Sequence, residues 1–256
     1  MLRQLAERLS RGRVIRRTLP KEFGSAPLYV SPDSQLKYLK FGRYAFDAEL
    51  LRVAYENVRP GMVVWDIGAN VGVFTLAAAS LSKGPVLAVE ADIWLAQLLT
   101  RSAHLRRNRS LDVRVIHAAI AERNGLSTLL ISARGRASNA LALPGADARM
   151  GGVRRAETVA TLTLDTLLDF GPPPDFVKID IEGAEREALE GARRLLLEVR
   201  PVIYLEVSDR GRDWVAENLR TMSYVLYDGA SATSERTEIR ECAFNTLAIP
   251  RSLNSI

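Results

Sequence analysis

The sequence is poor in the side chains that bind metals or form disulfide bonds. Its 256 residues include a single cysteine, Cys242, and two histidines, His104 and His117. One cysteine excludes an internal disulfide framework and is typical of a reducing compartment, so we expect a cytoplasmic protein. Because thiol and imidazole ligands are so few, a zinc site is not expected either. We therefore predict no metal at the functional site.

The chain also lacks a long, uninterrupted apolar run. Residues 62–81 come closest, but Asp66, Asn70 and the glycines of this segment argue against a membrane-spanning helix. The N-terminus is basic, yet no apolar segment typical of a signal peptide follows it. With 47% hydrophobic and 25% charged residues, the composition predicts a soluble α/β domain with an ample core.

Positive charge is concentrated at the N-terminus. The net charge is +5, and residues 1–22 hold seven basic and two acidic residues (7 − 2 = +5), which leaves the remainder formally neutral. Nucleic-acid-binding proteins usually spread basic charge over the folded surface, so we expect no nucleic-acid partner. The tail predicts either a loosely packed, solvated arm or contact with an acidic membrane or a partner protein. Its apolar residues recur at a spacing that roughly fits one face of a helix and so predict a helical stripe: Leu2, Leu5, Leu9, Val14 and Ile15.

Predicted strands alternate with predicted helices from residue 63 to residue 207. This order indicates a parallel sheet with helices on both faces. We divide the chain into a basic N-terminal extension, residues 1–45, and a single domain, residues 46–256. The remaining expectations are short strands at 28–30 and 36–41, a loop at 118–121, a strand pair at 126–131 and 158–162, a mobile, substrate-facing loop at 132–156 and a helix at 184–197.

The stretch from Val63 to Gly72 predicts a buried strand, a tight turn and the start of a helix. Gly68 and Gly72 permit a sharp bend and the close approach of a ligand. Free N–H groups at a helix start favour a carboxylate or a phosphate. Taken alone, the stretch is equally consistent with an ordinary strand-to-helix turn.

Glu90 ends the next predicted strand, 24 residues after Asp66. A carboxylate in this position accepts two hydrogen bonds from a ribose diol, a group that dinucleotides and S-adenosyl-L-methionine share. A nicotinamide fingerprint that begins at Gly68 requires glycines at positions 70 and 73, where this chain has Asn70 and Val73. The loop therefore favours S-adenosyl-L-methionine.

A second polar cluster follows the strand predicted at 176–181. Alternation buries Ile179 and Ile181 and turns Asp180 toward a cleft. The alternative is that Asp180 or Glu182 only caps the next helix. Because ligands of such sheets bind beyond the carboxyl ends of the strands, we expect one rim to be lined by Asp66, Glu90, His117 and Asp180.

In this order and spacing, the motifs resemble the FkbM family of S-adenosylmethionine-dependent methyltransferases. The resemblance covers about residues 46–207 and is carried by Asp66–Gly72, Glu90, Thr163–Asp165, Lys178–Glu185 and Arg200–Glu206. It implies a class I methyltransferase fold, a Rossmann-like α/β sheet of seven strands with helices on both faces and an antiparallel last strand. Residues 224–227 and 243–249 would supply the final two strands. It also implies O-methylation of a hydroxyl on a sugar, a glycan or another small natural-product acceptor.

The resemblance also implies roles for individual residues. Glu90 would bind the ribose hydroxyls, and Asp180 would lie near the transferred methyl group. The methionine portion would be held around Asp66, Gly68, Asn70 and Gly72, and the adenine would be bordered by Ala91, Asp92, His117 and Ala118.

An acceptor alcohol must lose its proton as it attacks the methyl group in line with the sulfur. Asp180 is the first candidate for the base, followed by Glu182 and Glu206. These three carboxylates could also bridge a cation. Lys178 either steadies the developing alkoxide or pairs with Asp180. An anionic acceptor could be recognised by the loop arginines, which are otherwise solvated: Arg134, Arg136, Arg149, Arg154 and Arg155.

Two other functions are open at this point. A nicotinamide-dependent oxidoreductase on a Rossmann-like sheet is disfavoured by Asn70 and Val73. A non-catalytic adenosyl-binding module would be favoured if the cluster at Asp180 only capped a helix.

Overall fold

The computed structural model describes residues 9–144, 146 and 150–251. The first eight residues, with Leu2 and Leu5 of the predicted stripe, lie outside the described residues, and so does Arg149. The strands are, in chain order, β1 (Ile15–Thr18), β2 (Pro27–Val30), β3 (Val64–Ile67), β4 (Val86–Glu90), β5 (Val113–His117), β6 (Ala119–Ile120), β7 (Gly125–Ser132), β8 (Ala140–Leu141), β9 (Val153–Leu162), β10 (Phe176–Ile179), β11 (Val202–Glu206), β12 (Tyr224–Asp228), β13 (Glu238–Ile239) and β14 (Asn245–Pro250).

The α-helices are α1 (Ala48–Asn57), α2 (Val73–Ser82), α3 (Ile93–Ala103), α4 (Leu164–Leu167), α5 (Glu185–Glu190) and α6 (Arg212–Thr221). Three of these six helices begin at a polar residue whose side chain caps them. Asp47 accepts the N–H of Glu49 at the start of α1, and Asp92 accepts the N–H of Trp94 at the start of α3. Such caps satisfy N–H groups that have no partner inside the helix. Within the described residues, no helix is both long and apolar enough to span a bilayer.

The central sheet has the strand order β13-β12-β14-β11-β10-β3-β4-β5. Neighbours from β11 to β5 are parallel, whereas β14 is antiparallel to both β11 and β12. This confirms the predicted class I methyltransferase arrangement. The two-residue strand β13 adds an edge strand to the seven that were expected. The chain runs outward from β3 to β5 and then returns to β10, so the order of the strands switches between β3 and β10.

Alternate residues of the central strands pack into two different cores. Val64 and Phe176 face the side of α1, α2 and α3, and the rings of Phe74 and Phe176 stack with their centroids 6.1 Å apart. Trp65 and Val177 face the side of α4, α5 and α6. Strands that are buried on both faces are largely apolar, and in β3 and β10 the exceptions are Asp66 and Lys178. Helices therefore cover both faces, as expected.

The N-terminal segment is more firmly packed than the predicted arm. Strands β1 and β2 form an antiparallel pair, so Ile15 belongs to a strand and not to a helical stripe. Leu19 and Leu28 are buried in the same core as α1–α3, which makes the expectation of a loose arm wrong for this part of the chain. The domain boundary at residue 45 stays a prediction.

The predicted strand at 36–41 is a 3-10 turn, Leu36–Leu39. The N–H of Tyr38 donates to the carbonyl of Gln35, and the N–H of Lys40 donates to that of Lys37. These short-range bonds close a turn that carries the ring of Tyr38 into the core, and they use N–H groups that a strand would give to a neighbouring strand.

Three further expectations differ in detail. The predicted loop at 118–121 holds β6, which pairs in parallel with β9. The predicted pairing of β7 with β9 is confirmed, but β9 begins at Val153, and the expected loop at 132–156 also contains a 3-10 turn, Arg136–Ser138, and β8. The helix predicted at 184–197 is interrupted at Gly191, where a Cβ would lie 2.7 Å from the carbonyl oxygen of Ala121. A π-helical turn, Leu195–Val199, follows.

Candidate active site

Two adjoining cavities open at the carboxyl ends of the central strands, where the order of the strands switches. The first lies between the loop after β3, the end of β4 and residues 136–141. The second, with a volume of about 240 Å³, lies between the start of α1 and the ends of β10 and β11. Gly68, Asn70 and Asp180 line both cavities. This is the position at which sheets of this kind bind their ligands.

The loop after β3 depends on left-handed backbone. Gly68 has φ +79°, and a Cβ there would lie 1.8 Å from the carbonyl oxygen of Asp180. Asn70 has φ +54°, and its side-chain Oδ1 accepts a hydrogen bond of 2.7 Å from the hydroxyl of Ser34. Gly72 precedes α2 and lines neither cavity, and a Cβ there would meet the side chain of Leu99 at 2.1 Å. Gly68 is thus required by the close approach of β10, and Gly72 by helix packing.

Glu90 lies on the wall of the first cavity. Its Oε2 accepts the N–H of Asn70 at 2.7 Å, and its Oε1 accepts the N–H of Asp92 at 2.8 Å. Burial raises the pKa of Glu90 to about 7, although both N–H groups oppose the shift. Each carboxylate oxygen has a second lone pair for a ligand. The surrounding wall is largely apolar and includes Val89, Ala91, Leu95, Ala118, Ile120, Leu129 and Leu141.

Two residues predicted beside the adenine do not line this cavity. Asp92 is fully buried; besides capping α3, it accepts a hydrogen bond of 2.8 Å from the amide of Asn139. His117 is exposed, and its Nε2 lies 2.9 Å from the carbonyl oxygen of Ala91. Ala91 and Ala118 are therefore the members of that predicted set that form part of the wall.

Asp66, predicted at the rim, lies behind the wall of both cavities. It is fully buried, and the hydroxyl of Thr75 donates to its Oδ2 at 2.6 Å. Nζ of Lys178 lies 3.1 Å from Asp66, 3.0 Å from the carbonyl oxygen of Gly68 and 3.4 Å from Asp180. Burial alone would lower the pKa of Lys178, but the two carboxylates raise it above its usual value. Of the two roles considered for Lys178, the structure shows the ion pair with Asp180.

The carboxylates predicted for catalysis meet near the junction of the cavities. The side chain of Asp180 is 28% exposed and faces both. Glu206 lines the second cavity, and burial followed by the charge of Asp180 raises its pKa to about 8. Glu182, with φ +53°, lines the first. Helix α5 begins after Ala184, and Asp180 lines both cavities, a position that fits the predicted cleft better than a role limited to capping the helix.

Residues 136–141 close the first cavity and are held by a buried ion pair network. Arg136 donates to Asp33 at 3.1 Å and also pairs with Asp92, while its guanidinium lies 4.7 Å from the ring centroid of Trp94. Arg154 pairs with Asp33 as well, at 2.9 Å. The loop expected to be mobile and substrate-facing thus forms a wall of the first cavity.

The loop arginines do not line the second cavity in the described part of the chain. Arg136 and Arg154 are engaged by Asp33, and Arg155 pairs with Glu157. Their expected role in recognising an anionic acceptor is therefore not supported by their positions.

Several residues of the second cavity were missed by the sequence analysis. Tyr204 could have been found, because two-residue periodicity places it on the same face of β11 as Glu206. The others come from segments far apart in the chain and carry no local signal: Tyr38, Asp47, Glu49, Phe244 and Asn245. Among the described residues, no group of three or more His, Cys, Asp or Glu side chains has the arrangement of a metal site.

The chain is similar in sequence to a known methyltransferase. Hexuronic acid methyltransferase AglP from Haloferax volcanii is 27% identical over 164 residues, which are 61% of this chain and 61% of that protein. The alignment thus spans about three fifths of the length of that relative.

Two solved structures are also similar. A methyltransferase FkbM from Methylobacillus flagellatus KT has a TM-score of 0.47 at 17% identity and covers 85% of this chain and 58% of its own. A precorrin-6y C5,15-methyltransferase from Geobacter metallireducens GS-15 has a TM-score of 0.44 at 16% identity and covers 78% of this chain and 84% of its own. Residues 66–244, well over half of the chain, match the family model of the methyltransferase FkbM domain. The chain therefore belongs to the FkbM methyltransferase family, as its motifs predict.

Proposed function

We propose that this methyltransferase uses S-adenosyl-L-methionine to methylate a hydroxyl group of a sugar or glycan. The observation that supports this most directly is the position of Asp180, which lines both cavities. A carboxylate at their junction can reach a methyl donor held on one side and an acceptor hydroxyl held on the other.

The first cavity fits S-adenosyl-L-methionine by the chemistry of its wall. Glu90 offers free lone pairs for the ribose hydroxyls, and the apolar residues beside it suit the adenine ring. Gly68 and Asn70 would hold the methionine portion at the junction. When bound there, the cofactor supplies an electrophilic methyl group.

The protein residues then prepare the acceptor. Asp180 takes the hydroxyl proton, so that the oxygen attacks as it becomes negatively charged. Lys178 fixes the Asp180 carboxylate from behind and is itself fixed by Asp66 and by the carbonyl of Gly68. Lys178 is therefore a positioning residue in this proposal. Glu206 lies near Asp180, and the charge of Asp180, together with burial, raises the pKa of Glu206.

A sugar acceptor is supported by the relative from Haloferax volcanii, whose name refers to a hexuronic acid. The second cavity has polar side chains and the exposed ring of Phe244 at its wall, a combination suited to a pyranose ring.

Calorimetry and a transfer assay test the proposal. S-adenosyl-L-methionine, S-adenosylhomocysteine and NAD are titrated separately into the full chain. We expect micromolar binding of the two S-adenosyl compounds and none of NAD. Transfer of a labelled methyl group is then measured on a panel of free and activated sugars. Binding of NAD without binding of either S-adenosyl compound would overturn the assignment of the cofactor.

A further inference from the structure

Carboxylates dominate the charged wall of the second cavity. Asp47 and Glu49 lie on it at the start of α1, and Asp180 and Glu206 lie on it at the ends of β10 and β11. Among the described residues that line this cavity, Lys178 is the one cation. An anionic ligand would need this lysine as its partner.

Lys178 is already engaged. Its ammonium group has three N–H donors, and three acceptors surround it: Asp66 at 3.1 Å, the carbonyl oxygen of Gly68 at 3.0 Å and Asp180 at 3.4 Å. Its side chain is 3% exposed. A ligand carboxylate or phosphate that replaced Asp66 or the carbonyl of Gly68 would leave a buried acceptor without its partner, which is costly. One that replaced Asp180 would leave two negative charges side by side.

The basic side chains beside the wall are engaged by acceptors of the protein. Nζ of Lys37 lies 2.5 Å from Asp47, and neither Lys37 nor Arg52 lines the cavity. Arg52 lies 3.7 Å from Glu49 but donates to the carbonyl of Gly229 at 2.7 Å and to Glu56 at 2.8 Å. Both cations are therefore already bonded to carboxylate or carbonyl oxygens of the protein.

The cavity already disfavours negative charge on its own wall. Burial raises the pKa of Glu206 to about 8, and the carboxylates of Asp180, Glu182 and Asp47 add to the shift. A ligand anion placed beside Glu206 would meet the same burial and the same repulsion.

Most polar side chains on the wall of this cavity carry oxygen atoms that accept hydrogen bonds. Nδ2 of Asn245 donates to Glu49 at 2.7 Å, while its buried Oδ1 has no partner in the described structure. The hydroxyl of Tyr204 also turns to Glu49, at 3.4 Å. A ligand rich in hydroxyl donors would find an accessible acceptor in Asp180, and Phe244, 58% exposed, offers a flat apolar surface at the wall.

We propose that the acceptor ring that enters the second cavity is a neutral, hydroxyl-rich pyranose, and that the cavity discriminates against rings that carry a carboxylate or a phosphate. This inference rests on the proposed function, because it concerns the acceptor of that methyl transfer. It also separates this protein from its relative named for a hexuronic acid.

Matched ligand pairs test the proposal. The full chain, saturated with S-adenosylhomocysteine, is titrated by ligand-observed NMR with methyl glucoside and methyl glucuronide, and with the galactose pair. Glucose and glucose 6-phosphate are compared in the same way. We expect the neutral member of each pair to bind at least about tenfold more tightly, equivalent to about 1.4 kcal/mol.

Equal or tighter binding of the charged members would overturn the proposal, and so would the absence of binding by every neutral pyranoside. The two proposals fail differently. If S-adenosylhomocysteine does not bind in calorimetry, the proposed function is wrong. If it binds and the pairs are not discriminated, only the present inference is wrong.

Two variants test whether the negative charge of the cavity wall causes the preference for neutral ligands. Glu49→Gln removes one negative charge but keeps an oxygen that can accept the bonds from Asn245 and Tyr204. It is expected to reduce the preference for neutral ligands by at least about threefold. Glu217→Gln, at an exposed carboxylate outside this cavity, is the matched control and should leave the preference unchanged. An unchanged preference in Glu49→Gln, with the fold intact by circular dichroism, would contradict the electrostatic argument.

Discussion

Nζ of Lys178 lies 3.1 Å from the carboxylate of Asp66, and both side chains are almost completely buried. The pair joins β10 to β3 at the point where the strand order switches. Removing one partner leaves an uncompensated buried charge, so Lys178→Met is expected to lower the free energy of unfolding by about 3–5 kcal/mol. Urea unfolding measures the change. Lys21→Met, at an exposed lysine, should change it little.

The double variant Asp66→Asn with Lys178→Met separates pairing from packing. It removes both charges and is therefore expected to recover part of the lost stability. A double variant no more stable than Lys178→Met would show that packing of the lysine stem, and not the charge pair, accounts for the loss.

Asp180→Asn tests the proposed base. Asparagine is nearly isosteric but cannot accept the hydroxyl proton, so kcat is expected to fall by about 10²–10⁴-fold. Cofactor affinity, measured by calorimetry, should change little because the fold of the loop is kept. Asp169→Asn, at an exposed aspartate, is the control. Turnover at the level of the unmodified protein in Asp180→Asn would exclude this residue as the base.

Gly68→Ala tests the close approach of the loop to β10. A Cβ would lie 1.8 Å from the carbonyl oxygen of Asp180, and the backbone has φ +79°. The left-handed conformation alone costs about 1–2 kcal/mol, and the clash adds to it. We expect lower stability and a marked loss of cofactor affinity. Gly171→Ala, where a Cβ meets nothing within 4 Å, should be tolerated. Equal behaviour of the two variants would contradict this account of the loop.

Arg136→Ala tests the wall of the first cavity. It leaves the buried carboxylate of Asp92 without its guanidinium partner and leaves Asp33 with Arg154 alone, so we expect a loss of about 3–5 kcal/mol in the free energy of unfolding. Arg136→Lys keeps the charge but loses the planar guanidinium group, so its free energy of unfolding should lie between those of Arg136→Ala and the unmodified protein. Arg155→Ala is the exposed control. Because the same segment lines the cavity, S-adenosylhomocysteine should bind less tightly to both Arg136 variants, by calorimetry; unchanged affinity would contradict this.

The titration of Glu206 predicts how stability depends on pH. Its pKa is about 8 in the folded protein against an ordinary value of 4.5. Between these values the folded state binds more protons than the unfolded state, so this residue lowers stability as the pH rises from about 4.5 to about 8. In Glu206→Gln the midpoint temperature of unfolding should decline less steeply over this range. If the midpoint temperature declined equally steeply with pH in Glu206→Gln and in the unmodified protein, the prediction would be contradicted. Part of the slope should persist, because Glu90 is also raised, to about 7.

Local patterns predicted the elements that carry the site. Alternation buries Ile179 and leaves Asp180 at the cavity, and the glycine-bearing turn after β3 lies where expected. Such features depend on neighbouring residues, which a single sequence displays. The same reasoning placed Asp66 and His117 at the rim, but local periodicity does not tell whether a polar side chain at a strand end faces a ligand or the protein.

Contacts between distant segments could not be predicted. Asp33 and Arg136 are 103 residues apart in sequence, and each has several oppositely charged residues nearer to it. Tyr38 reaches the second cavity because a short turn folds inward, which four residues of mixed polarity do not specify. Much of the wall of the second cavity comes from such distant segments.

The network of Asp33, Arg136 and Asp92 has a consequence for the exchange of segments among related proteins. Asp33 lies in the N-terminal segment, Arg136 in the hairpin formed by β7 and β9, and Asp92 at the start of α3. Because Arg136 pairs with both aspartates, replacing any one of the three removes a partner from at least one other. A chimera that receives this hairpin from a relative must also receive the residues around position 33. In an alignment of the family, the arginine and the two aspartates should therefore be gained and lost together, so that the three segments are inherited as a single unit.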